Sequence, residues 1–117
     1  MTPDPLREYG VDSMAGELRH VAMRRPGAIL SCDWERWHYA KPIDAAAMQR
    51  QFEAFAALLE ADGATIHWID PVDDGLADSV FTFDPSFTLP AGVVILRPGK
   101  SLRVDEAALH ALSLIHI

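Results

Sequence analysis

The sequence contains a single cysteine, Cys32, among 117 residues. An internal disulfide needs two cysteines, and the cysteine-rich zinc sites need several, so both are excluded. The amino terminus also lacks the basic and then apolar stretches of a secretory signal. These features predict a reduced, cytoplasmic protein.

Basic residues are scarce, with 10 Lys and Arg against 17 Asp and Glu, which gives a formal net charge of −7. A chain with no basic surplus cannot neutralise many phosphates, so a nucleic-acid partner is not expected. No apolar run approaches the roughly 18 residues that a membrane span needs, so no membrane partner is expected either. A local arginine can still bind a small anionic group.

The remaining composition is ordinary for one globular domain, with 50% hydrophobic and 23% charged residues. A polar lead-in over residues 1–19 is followed by a strand that stops at Pro26. Aromatic residues then mark a long loop over 28–43. The order of later patterns predicts an α/β fold (α+β by some schemes) with helices on one face of a mixed sheet. Its later elements are a helix over 44–62, strands over 64–70, 80–83, 86–89 and 93–96, and a second helix from 104. The strand over 93–96 is a continuous apolar run, which is typical of a buried strand.

The helix over 44–62 is the clearest of these elements. Asp44 is a good N-cap and Gly63 a good residue to follow the last turn. Steps of four, three and four place a set of apolar side chains on one helix face, where they are expected to pack on a sheet. The set consists of Met48, Phe52, Phe55 and Leu59.

Two aspartates, Asp78 and Asp84, form the first candidate site. In an extended segment, residues six positions apart face the same side, so both carboxylates could hold a planar guanidinium beside Phe81. The alternative is local: Asp78 caps a turn after Gly75, and Asp84 opens the turn at Pro85. Spacing alone favours this alternative.

Arg103 supplies the complementary charge. An arginine after the loop at Gly99 could clamp a substrate carboxylate with two hydrogen bonds. The alternative is a solvated arginine that pairs with Glu106 three residues later.

The segment from Leu76 to Glu106 resembles the first substrate-binding region of the amidinotransferase and dimethylargininase superfamily, the guanidine-modifying enzymes. The shared pattern is Asp, two residues, an aromatic, two residues and Asp, followed by Gly-Lys-x-x-Arg-x-x-Glu. Three upstream segments also agree with the family pattern. They are MRRPG, the Trp37-His38-Tyr39 loop and the helix over 44–62. The resemblance covers about residues 18–111. The matching positions are Asp78, Phe81, Asp84, Gly99, Lys100, Arg103 and Glu106.

The resemblance implies a role for each substrate-binding residue. Asp84 would hold the guanidinium, and Asp78 the amino-acid end of the substrate. Phe81 would lie beside the substrate, and Arg103 would grip its α-carboxylate. Some dimethylargininases have a glutamate immediately before the second aspartate; Phe83 stands there in this sequence, so the identity of the guanidine substrate is open.

The same resemblance implies catalysis by a histidine and a cysteine that lie far downstream, with no metal or cofactor. Cys32 matches no nucleophile position and is expected to be a bystander thiol. The histidines match no catalytic position, and His67 on its strand is expected to be structural. This chain alone is therefore predicted to be inactive.

The fold that the resemblance implies is the pentein α/β-propeller, of which residues 20–111 would supply one ββαβ unit and the start of a second. The apolar end of the sequence suggests a truncated chain, with residues 112–117 a non-native tail. Such a partial propeller is expected to be unstable or to associate, and the parent could form homo-oligomers.

The sequence therefore leaves three possible functions open. The first is the amino-terminal fragment of a guanidine-modifying enzyme. The second is a non-catalytic binding module for an arginine-like ligand, and the third is a structural domain without a ligand. A compact monomer that melts cooperatively would favour the second or the third.

Overall fold

The computed structural model describes residues 13–69 and 75–115. Residues 1–12 of the predicted lead-in, residue 70 of the predicted strand over 64–70 and tail residues 116 and 117 lie outside these ranges, as do residues 71–74. The described chain combines helices and strands, which confirms the mixed fold class. The elements are β1 (His20–Met23), a 3-10 turn (Ala28–Ser31), α1 (Ala45–Ala61), β2 (Thr65–Trp68), a 3-10 turn (Ala77–Val80), β3 (Ser86–Leu89), β4 (Gly92–Ile95), a 3-10 turn (Ser101–Arg103) and α2 (Glu106–Ile115).

The helix α1 confirms the prediction from spacing and caps. The Asp44 carboxylate accepts a hydrogen bond from the Ala47 amide at 3.0 Å, as an N-cap should. Gly63 follows the helix with φ of 97°, a conformation that glycine adopts without a steric penalty. The polar residues on the opposite side of the helix are exposed. They are Gln49, Arg50, Glu53 and Glu60.

The predicted single mixed sheet is wrong, because the described strands form two separate pairs. β1 and β2 pair in parallel, connected through α1, and β3 and β4 form an antiparallel hairpin. The buried strand predicted over 93–96 is also wrong in its burial. The side chains Val93, Val94 and Ile95 are each more than two-fifths exposed. A continuous apolar run predicts the position of the strand correctly, but it does not predict which other residues, if any, bury its side chains.

The strand predicted over 80–83 is wrong as well. Residues Ala77–Val80 form a 3-10 turn, and the Phe81 amide donates to the Asp78 carbonyl at 2.9 Å. Pro85 has no amide hydrogen and disfavours helical backbone in the residue before it. The turn leaves the carbonyls of Asp78 and Phe81 free of a sheet ladder, and both accept hydrogen bonds from the Arg103 side chain.

The predicted loop over 28–43 contributes to the core. Ile29 and Trp37 are buried with Ala77, and Met48 and Leu102 pack against this cluster. The loop is therefore fixed against the turn at 77–80. In the part of the chain that the structure describes, no helix is both long and apolar enough to cross a membrane.

Candidate functional site

The four predicted site residues come together around the Arg103 guanidinium. The short Ser101–Arg103 turn places Arg103 opposite the turn at 77–80, so side chains 19 to 25 positions apart meet. Arg103 Nη1 donates to the Asp84 carboxylate at 2.7 Å, and Nη2 donates to the carbonyls of Asp78 and Phe81 at 3.3 Å. Asp78 and Asp84 do not lie on an extended strand, and their carboxylates bind different side chains of the chain, so the predicted joint binding of a ligand guanidinium stays a prediction.

Glu106 holds the other side of the same guanidinium. Its carboxylate accepts from Arg103 Nε at 2.9 Å and from Nη2 at 2.6 Å, a paired geometry. The Glu106 side chain is 2% exposed and that of Arg103 is 9% exposed. The hydrogen bonds to Glu106 and then to Asp84 raise the pKa of Arg103, although burial opposes the rise. Arg103 thus has the predicted alternative partner, Glu106, but is buried with it instead of solvated.

Asp78 is bound by two side chains that fix the loop over 28–43. Lys100 Nζ donates to one carboxylate oxygen at 2.7 Å, and the Tyr39 hydroxyl donates to the other. Lys100 also donates to the Trp37 carbonyl at 2.5 Å. Burial, followed by the hydrogen bond to Asp78, raises the pKa of Tyr39, which keeps the phenol protonated as a donor.

Asp84 differs from the other two acids because it is only partly enclosed. Its side chain is 50% exposed, whereas those of Asp78 and Glu106 are almost fully buried. The cluster contains three carboxylates against two cations, Lys100 and Arg103, which leaves one excess negative charge. Asp84 shares the Arg103 guanidinium with Glu106 and is the most exposed of the three acids.

An apolar groove of about 570 Å³ opens beside Asp84. One wall is the apolar face of α1, including Phe52 and Phe55, and another is formed by β1. Residues 80–84 also line the groove, and in this segment Phe81 and Phe83 precede Asp84. The predicted helix face therefore lines a groove as well as packing on β2.

Lys100 and Tyr39 are the site residues whose roles the sequence did not predict. Lys100 belonged to the Gly-Lys-x-x-Arg-x-x-Glu pattern, and Tyr39 to the aromatic loop, but neither was assigned a contact. Nothing in the local pattern of residues 37–39 points to Asp78, because the contact joins segments 39 positions apart.

The remaining candidate residues lie elsewhere. Cys32 is half-buried, and burial raises its pKa, which favours the thiol over the nucleophilic thiolate. His67 Nε2 lies 2.9 Å from His20 Nδ1 on the adjacent strand, so one ring donates to the other. Within residues 13–69 and 75–115, no group of three or more His, Cys, Asp or Glu is placed to hold a metal ion.

Comparison of the chain with protein-family models, with curated proteins and with solved structures finds no match.

Proposed function

We propose that this chain is the amino-terminal, substrate-binding part of a guanidine-modifying enzyme of the amidinotransferase and dimethylargininase type. The observation that carries the proposal is the half-exposed Asp84 carboxylate, a residue that lines a largely apolar groove. A planar guanidinium matches a carboxylate with paired hydrogen bonds. A cytoplasmic location and the propeller fold belong to the same proposal.

The internal contact to Arg103 supports this role for Asp84. The chain already presents one guanidinium to this carboxylate, at 2.7 Å through Oδ2. In this contact the Asp84 carboxylate accepts one guanidinium N–H, and half of the Asp84 side chain remains exposed.

The chemistry proposed for the whole enzyme is nucleophilic. A cysteine thiolate supplied from outside this chain attacks the guanidinium carbon, an amine leaves, and water or a second amine releases the product from sulfur. Asp84 orients the guanidinium and favours its positive charge during the attack. Hydrolysis and transfer share this first step, and the proposal covers both.

A binding measurement tests the role of Asp84. Methylguanidinium should bind the chain, and Asp84→Asn should weaken that binding at least about tenfold, a change of about 1.4 kcal/mol. Glu60→Gln removes an exposed acid from the outer side of α1 and should leave binding unchanged. Equal binding to the Asp84→Asn and unmodified chains would refute the proposed site.

An activity measurement tests the assignment of the nucleophile. The 117-residue chain should form no citrulline from arginine or dimethylarginine, because Cys32 is a half-buried thiol with a raised pKa. Citrulline formation that Cys32→Ser abolishes would show that the nucleophile lies in this chain.

The alternative function is a non-catalytic binding module for the same cation. It is favoured by the internal saturation of Asp78 and Arg103, which leaves Asp84 as the one member of the predicted set with a half-exposed charge. A monomer that melts cooperatively and binds methylguanidinium through Asp84, without chemistry in any longer form, would support the module.

A further inference from the structure

We infer that His20 and His67 form a two-histidine site for a divalent transition metal ion, with copper and nickel preferred over zinc. The two rings lie on neighbouring strands, and their facing nitrogens, His20 Nδ1 and His67 Nε2, are 2.9 Å apart. Neither histidine is among the residues that line the groove near Asp84. The inference therefore goes beyond the proposed function and does not depend on it.

The strand register places the two side chains on one face of the β1–β2 pair. Ala22 pairs with His67, and His20 stands two positions before Ala22, so the histidines are diagonal neighbours across the two parallel strands. Residues two positions apart on a strand share a face. Trp68 follows His67 and contacts Phe52 of α1, so the two histidines lie on the face away from that helix.

The distance between the two nitrogens matches that between adjacent ligands of one metal ion. Bonds from imidazole to such a metal measure about 2.0–2.1 Å, so two bonds at a right angle place their nitrogens about 2.8–3.0 Å apart. A tetrahedral angle would require about 3.3–3.4 Å. The observed 2.9 Å fits the square or tetragonal geometry of Cu²⁺ and Ni²⁺ better than the tetrahedral geometry of Zn²⁺.

Binding exchanges the proton between the rings for the metal ion. In the hydrogen bond, one nitrogen carries the proton and the other accepts it. When the metal binds, this proton moves to the remote nitrogen of its own ring, and both facing nitrogens then offer a lone pair. The rings must turn so that both lone pairs point at the shared ion, and rotation of the ring about χ2 is soft for histidine. Both rings stay neutral, and no proton is released.

The chain supplies two ligands, and water completes the coordination. Within residues 13–69 and 75–115, no group of three or more His, Cys, Asp or Glu is placed to hold a metal ion. His20 and His67 are each only half-buried, so water reaches the pair. Imidazole is a ligand type that suits copper and nickel. The formal net charge of −7 favours the approach of a cation.

A metal ion at this pair should also stabilise the fold. The two ligands are 47 positions apart, so only the folded chain holds them together. An ion that binds the folded chain more tightly than the unfolded chain raises the free energy of unfolding. An ion on one histidine lacks this effect, because a single imidazole binds alike in the folded and the unfolded chain.

Calorimetric titration of the 117-residue chain with CuCl₂, NiCl₂ and ZnCl₂ tests the site. Cu²⁺ should bind most tightly, and Ni²⁺ at least about threefold more tightly than Zn²⁺. His20→Asn and His67→Gln each remove one ligand nitrogen but leave an amide that can still make a hydrogen bond. Each should weaken Ni²⁺ binding at least about tenfold. His38→Asn removes an exposed histidine outside the pair and should leave binding unchanged.

Thermal denaturation supplies a readout that binding to single histidines would not move. At about 100 times its dissociation constant, Ni²⁺ should raise the melting temperature of the unmodified chain and of His38→Asn by at least about 5 °C. The same Ni²⁺ concentration should leave the melting temperatures of His20→Asn and His67→Gln unchanged to within about 1 °C.

Three outcomes would overturn the inference. Equal Ni²⁺ affinity of His67→Gln and the unmodified chain would show that the pair is not the site. Binding without a rise in the melting temperature would show that the two histidines do not act together. Zn²⁺ binding as tight as Ni²⁺ binding would show that the preference for copper and nickel is wrong. None of these results bears on methylguanidinium binding, so the proposed function is tested separately.

Discussion

At the scale of single residues, Arg103 has a structural role, as the burial of its side chain indicates. Its guanidinium neutralises the buried Glu106 and reaches Asp84, Asp78 and Phe81. A substitution of Arg103 therefore changes the fold as well as any ligand contact. For this reason Arg103→Ala does not isolate a role in substrate binding, whereas the half-exposed Asp84 can be changed with less disturbance.

The first prediction concerns this buried pair. Arg103→Ala should lower the free energy of unfolding by about 3–5 kcal/mol, because it leaves the Glu106 carboxylate buried without its partner. Replacing both residues by leucine should cost less than the single change, since no buried charge then remains. Urea denaturation of the two variants measures the difference. A loss below about 1 kcal/mol for Arg103→Ala would contradict the structural role.

The residues of the site also show what a single sequence can predict. Spacing alone favours local roles for Asp78, Asp84 and Arg103, and it is the family resemblance that assigns them, with Phe81, to one site. In the structure the four residues lie around the Arg103 guanidinium, and their roles toward a ligand stay predictions. The contact of Arg103 with Glu106, three positions away, follows from the local pattern. The contacts of Arg103 with Asp84 and of Tyr39 with Asp78 do not, because they join residues 19 and 39 positions apart. The exposure that separates Asp84 from Asp78 likewise depends on Lys100 and Tyr39.

At the scale of elements, local patterns predicted α1 and the positions of β1 to β4 to within a few residues. The helix caps and the apolar spacing act within a few positions, so α1 forms where they require. Strand pairing acts over long separations, and the division into two small sheets did not follow from the pattern. The sequence predicts a strand over 80–83 and not the turn at 77–80. The carbonyls of Asp78 and Phe81 accept hydrogen bonds from the distant Arg103 side chain, not from a neighbouring strand, and local patterns do not show this.

One contact joins the hairpin to α2 and makes its packing depend on pH. Ser86 Oγ at the start of β3 lies 3.0 Å from His110 Nε2, and His110 is buried. Burial, followed by the charge of Arg24, lowers the pKa of His110. The folded state therefore disfavours the charged imidazolium.

The second prediction follows from this shift. The unfolded chain protonates His110 near its ordinary pKa of about 6.5, whereas the folded chain resists protonation, so the unfolded state binds more protons below that pH. Stability from this residue should be present above about pH 6.5 and decrease as the pH falls toward 5. In thermal denaturation, the melting temperature of His110→Gln should fall less steeply with decreasing pH than that of the unmodified chain. The control His38→Asn, at an exposed position, should show the same pH dependence as the unmodified chain. Equal slopes in the His110→Gln and unmodified chains would contradict the prediction.

At the scale of the whole molecule, the described chain leaves much apolar surface uncovered. The hairpin is the clearest case: residues 85–96 contain no charged side chain, and Phe87, Val94 and Ile95 are each more than two-fifths exposed. Natural edge strands are commonly protected by lysine, proline or a bulge. β4 pairs with β3 in unbroken register and contains neither lysine nor proline.

The last prediction is that the chain associates through this hairpin and that one charge reduces the association. A lysine at position 94 must be desolvated or repelled when two apolar hairpins meet, so Val94→Lys should shift the protein toward monomer in sedimentation equilibrium. Val104→Lys adds the same charge at a similarly exposed valine outside the strands, and therefore controls for net charge. Association of Val94→Lys equal to that of Val104→Lys would place the contact elsewhere. A chain that is monomeric without substitution would show that the exposed hairpin is tolerated, and would favour the self-sufficient binding module over a part of a larger enzyme.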